Sequence, residues 1–181
     1  MLLSNVISPL LLAGVVAASP TNVGSDYSDA VLVSRSIPKN FAAHAAAAIK
    51  AFGPSPSKTM MHSNIGAAKA FQVAKSKRLQ TVETTIFQAI QADKKSKKNE
   101  YKDTLAKYCI DKTTFCDVQS GNVKDWVEAW DTISSVWANY AQTETTLATN
   151  KAGPAKDSFY KRIEEPILTT HKIKITVDNK Q

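Results

Sequence analysis

Two cysteines, three histidines and one adjacent pair of glutamates are the residues here best suited to chemistry, and their spacing limits what they can do. His44, His62 and His171 are widely separated, and no two stand three or four residues apart. That spacing is what sets two metal ligands on one helix face. Cys109 and Cys116 have no histidine or second cysteine pair at ligand distance. Glu164 and Glu165 are neighbours, so on a helix they diverge by about 100° and form no facing acid/base pair. The six glycines punctuate helices; none builds a phosphate loop or a nucleophile elbow. The sequence therefore predicts no catalytic residues, no metal site and no cofactor.

Two other groupings remain. Trp126, Trp130 and Trp137 are all the tryptophans of the chain, and on a helix their offsets hold them within about 40° of one another. Tyr140, Ile133 and Leu147 continue the stripe. Such a stripe is either an aromatic wall for a lipophilic ligand or partner, or the core seam of a bundle. The second grouping is Lys94, Lys95, Lys97 and Lys98, within a span of eleven basic residues against five acids from Lys69 to Lys112. It reads as a patch for an anionic surface or as a solvated helix end. A nucleic-acid site would call for arginines with interleaved aromatics, which this run lacks.

The amino terminus points out of the cell. Val6 to Ala18 is an apolar run without charge, ending in small residues and followed at once by polar ones. That is the layout of a secretory signal peptide cleaved after Ala18, too short to span a bilayer. Its amino-terminal flank departs from type, because it carries no Lys or Arg. Residues 1–18 are thus expected to be removed, 19–36 to form a mobile leader or pro-segment, 37–170 a helical domain and 171–181 a tail. Export makes a Cys109–Cys116 disulfide the default, worth only about 2.5 kcal/mol because its loop is short. No asparagine begins a glycosylation sequon. The net charge of +7 favours anionic partners or simply solubility.

The elements that must position these residues read as helices. Pro38 and the alanines from Ala42 to Ala48 start and fill the first, which Gly53-Pro54 stops. A long second helix is expected from Ser63 or Asn64 to about Ala92, with Leu79, Val82, Ile86 and Ile90 as its stripe. A short third spans Glu100 to Ile110. The fourth runs from Asn122 to about Lys151, and a fifth from Ala155 to Glu165, closed by Pro166. Residues 172–177 alternate like a strand. The expected fold is all-α, an antiparallel bundle of about four to five helices with an extended C-terminal tail.

In size, export signal and missing catalytic signature the chain resembles the small secreted effector proteins of fungi and similar eukaryotes. That resemblance implies a secreted, extracellular, non-enzymatic protein that binds a host or environmental partner. The alternative is a carrier or surface-active protein holding lipophilic ligands at the Trp126, Trp130 and Trp137 seam. A small secreted enzyme, with residues assembled only in space, is a third reading.

Overall fold

A computed structural model describes residues 37–98, 100–106, 110–111, 114–115 and 123–180 of the 181-residue chain. The expected all-α bundle is corrected: helices pack on both faces of a small parallel sheet, giving a mixed α/β fold. In chain order the elements are α1 (Phe41–Phe52), β1 (Met60–His62), α2 (Ala67–Lys77), α3 (Val82–Ser96), α4 (Glu100–Thr104), β2 (Ile110–Asp111), β3 (Thr114–Phe115), α5 (Val123–Tyr140) and β4 (Glu144–Ala148). A π turn (Tyr160–Glu164), α6 (Glu165–Thr170) and β5 (Lys174–Asp178) complete it. Strand order is β1-β4-β5, with both pairings parallel. β2 and β3 form a separate short antiparallel pair.

α1 starts at Phe41, after Asn40 at its N-cap, so Pro38 precedes the helix instead of lying in its first turn; it ends where Gly53-Pro54 demand. Gly53 is required at the end: a Cβ there would lie 2.4 Å from the Ile49 carbonyl oxygen. The long second helix is instead two. Arg78 adopts a left-handed conformation (φ 56°) that closes α2, and Thr81 caps α3 by accepting a hydrogen bond from the Thr84 N–H. Between them Gln80 takes up strand-like bonds with β1: Met60 N–H donates to its carbonyl, and its own N–H donates to Lys58. The fourth helix stops at Tyr140 rather than near Lys151. Residues 143–146 include three threonines, which cost little to extend, and the pairing of β4 with β1 and β5 satisfies their main chain. Pro166 does not end a helix; it lies in the first turn of α6, where its missing N–H is harmless.

Alternation along the strands divides the interior in two. Met61 and Leu147 face the larger core, with Phe41, Ile49, Ile86, Ile90, Ile133, Trp137 and Leu168 from the helices. Met60 and Ala148 face the other way, onto Ala70, Val73 and Ala74 of α2. Burial on both faces is the usual condition of parallel strands, which need helical crossovers to connect them. Among the described residues no helix is long and apolar enough to cross a membrane.

Candidate functional site

The fold brings together three ionisable side chains that are far apart in sequence. His62 closes β1, Glu83 lies in the first turn of α3, and Glu164 ends the π turn. His62 Nε2 and Glu83 Oε1 are 2.7 Å apart, the short distance of a charge-assisted bond. The π turn is marked by the Glu165 N–H donating to Tyr160 five residues back. It buries both Tyr160 and Glu164, the latter 6% exposed. The buried Ser134 hydroxyl on α5 favours the charged form of the Glu164 carboxyl.

Burial acts on all three groups, and their charges decide the outcome. By itself burial lowers the pKa of His62, but the charge and hydrogen bond of Glu83, with a smaller contribution from Glu164, hold it above its ordinary value. Burial pushes Glu83 up; the His62 charge and hydrogen bond outweigh that and hold it below the ordinary range. Glu164 has no such direct partner. Burial pushes it up to about 8, against the opposing pull of His62, while the Glu83 charge pushes the same way as burial. Near neutral pH Glu83 is therefore a carboxylate and Glu164 a largely protonated carboxylic acid, while the pairing with Glu83 favours the charged form of His62. Glu83 Oε2 is buried without a hydrogen-bond partner, so the site retains one unused acceptor. Such a set could pass protons; Glu83 and Glu164 are buried, and His62 is the partly exposed member. Sequence reading missed it, because His62, Glu83 and Glu164 converge only through pairing of β1 and packing of the π turn. Among the described residues no group of three His, Cys, Asp or Glu is arranged to hold a metal ion.

The tryptophan stripe is divided between two environments. Trp137 is fully buried; its indole N–H donates to the Met60 carbonyl at 3.3 Å, and its ring stacks on Tyr140 at 5.8 Å. The Tyr140 hydroxyl in turn donates to the Pro54 carbonyl. Trp126 and Trp130 belong to a different group, with Phe159 as the third ring at centroid distances of 5.7 and 6.1 Å. Arg162 covers Phe159 at 5.4 Å and binds Asp131 through both terminal nitrogens, the shorter bond being 2.7 Å. Both indole N–H groups of this trio are buried and have no acceptor among the described residues. Trp130 is only 4% exposed. An unpaired buried donor costs about 1–3 kcal/mol, so an acceptor brought to either indole would be stabilising.

Lys94, Lys95, Lys97 and Lys98 are all exposed at the end of α3, with Lys97 in a left-handed conformation (φ 58°) at its C-cap. None of the four forms an ion pair among the described residues. Cys109 and Cys116 lie outside the described residues, as do residues 1–36 with the expected signal peptide and leader. Compared with models of protein families, with curated proteins and with solved structures, the chain matches none.

Proposed function

We propose that this is a small secreted, non-enzymatic, effector-like protein that acts by binding a host or environmental partner through an anionic surface of that partner. The observation that carries the reading is the lysine cluster that ends α3. Four exposed ammonium groups fall within five residues, and no described acid neutralises them. Side chains placed this way raise the local concentration of anions and steer their approach. The apolar run at residues 6–18 supports a partner outside the producing cell. The mutual pairing of His62 with the buried Glu83 supports a structural rather than catalytic use of that cluster.

Capture of partners by the wild-type protein and by a variant with all four lysines changed to glutamine tests this. Partners that bind the wild type should be lost, or bind with a shallower dependence on salt, in the variant. An unchanged partner list, with unchanged salt dependence, would reduce the lysines to solubilising charge.

A second reading is favoured by the unpaired indoles. Trp126 and Trp130 offer two buried donors beside Phe159, which suits a lipophilic ligand carrying an acceptor oxygen. Titration of fatty acids or sterols should then alter tryptophan emission in the wild type and less in Trp126→Phe. Silence in the wild type would remove the carrier reading.

A further inference from the structure

The three-stranded sheet is closed on one side only. β1 is covered by the α2–α3 connection, where Gln80 exchanges main-chain bonds with Met60 and Lys58. β5 is the other edge. Its pairing with β4 starts with the Lys174 N–H donating to Thr143 and ends with the Thr149 N–H donating to Asp178. In a parallel ladder that assigns the main-chain groups of Lys174, Thr176 and Asp178 to β4 and turns those of Ile175 and Val177 outward. Among the described residues nothing pairs with these outward groups. Val177, at the same edge, is 56% exposed, and it is the one large hydrophobic side chain so exposed among the described residues.

Edge strands are normally blunted by proline, a bulge or a covering segment. Ile175-Thr176-Val177 has no proline, and its register with β4 runs without a bulge. Its sequence is also self-complementary. Read against a reversed copy of itself about Thr176, Lys-Ile-Thr-Val-Asp sets Lys174 opposite Asp178, Ile175 opposite Val177 and Thr176 opposite Thr176. Opposite charges, aliphatic pairs and Thr–Thr pairs are all favourable across antiparallel strands. Ile175 and Val177 then fall at the hydrogen-bonded positions, where opposed residues exchange both main-chain bonds. A parallel, in-register alternative would set Lys174 against Lys174.

We propose that β5 is a self-association surface: two copies of this chain pair their β5 edges antiparallel about Thr176, joining two three-stranded sheets into one. The pairing uses both outward N–H and C=O groups of Ile175 and Val177 and covers the exposed Val177 with Ile175 of the second copy. Lys174, exposed and in no ion pair among the described residues, approaches Asp178 of the second copy. Asp178 is also held by Lys77 at 2.9 Å in its own chain, so Lys174 of the second copy joins an ion pair that is already in place. The symmetric arrangement closes on itself, which gives a dimer and not a fibre.

Sedimentation velocity of the purified protein, from low micromolar to near-millimolar concentration, tests the proposal. The wild type should move from one copy to two as concentration rises. Val177→Pro removes an outward donor and no bond to β4; it should remain monomeric with an unchanged far-ultraviolet circular dichroism spectrum. Lys174→Glu, which turns two attractive cross-strand pairs into repulsive ones, should weaken association about tenfold. Should Val177→Pro fail to fold, Lys174→Glu decides: an unchanged dissociation constant overturns the proposal. A wild type that stays monomeric throughout overturns it as well. If its Ile175 and Val177 amides nevertheless resist hydrogen exchange, the occupant of the edge is another segment of the same chain.

Discussion

Replacing Glu164 by glutamine should make this protein more stable at neutral pH and change it little in acid. An unfolded Glu164 releases its proton near the ordinary 4.5, whereas in the folded chain it holds the proton up to about 8. Between those values the native state binds more protons than the unfolded state, so stability falls as pH rises. The slope for one group is about 1.4 kcal/mol per pH unit. At pH 7 the wild type has therefore lost about 3 kcal/mol of unfolding free energy relative to acid, and by pH 8 about 4 kcal/mol. His62, with its pKa held above 6.5, adds stability below 6.5 that is lost as pH rises through its folded value. Glu83 has the opposite sign: its stabilisation is present above 4.5 and lost as pH falls through its lowered folded value. The cluster is thus best served in mildly acidic solution. Glutamine preserves the shape of the side chain and has no charge to bury. Urea unfolding followed by tryptophan emission, at a series of pH values from about 4.5 to about 8.5, measures the difference. The two proteins should agree at the acid end and diverge to about 3 kcal/mol at neutral pH. Parallel curves, or a variant weaker at every pH, would refute a protonated buried Glu164.

Other outcomes follow from single contacts. Glu83→Ala removes the 2.7 Å partner of His62, so unfolding free energy should drop by about 1–3 kcal/mol at pH 6, measured by the same urea titration. Leu168→Ala opens a cavity at a fully buried position and should cost about 2–5 kcal/mol. Arg78→Gly relieves the left-handed backbone that closes α2 and should raise the melting temperature by about 2–4 °C. Cys109 and Cys116, if paired on export, should show no free thiol by intact-mass analysis after alkylation; two alkylated thiols would contradict the pairing expected from the sequence.

The first helix, the end of α3 at the lysine run and the strand pattern of the tail were legible because each is written locally. Alanine content, Gly53-Pro54 and alternation at 172–177 act within a few residues of where they stand. The break at Arg78 was not legible. Leu79, Val82, Ile86 and Ile90 keep a helical rhythm across it, yet Leu79 packs toward α2 in one cluster while Val82, Ile86 and Ile90 belong to the other. What overrides that rhythm is the bonding of Gln80 to β1, a partner about twenty residues away. β4 escaped for the same reason: its threonines tolerate helix and strand within a fraction of a kcal/mol, and two distant strands decide the matter. Trp126, Trp130 and Trp137 all lie on α5, but Leu147, read as continuing their stripe, lies in β4, and helical phase says nothing of what lies opposite.

By itself, then, the sequence determined the local grammar: where helices start, which residues are apolar, and that charge gathers at the end of α3. Tertiary structure alone decided that three short strands align in parallel, that β5 is left as an edge, and that His62, Glu83 and Glu164 share one site. The physical reason is that pairing and burial energies are settled between segments. A histidine's pKa, a strand's free edge and an indole's missing acceptor are properties of neighbours that the chain brings near only by folding.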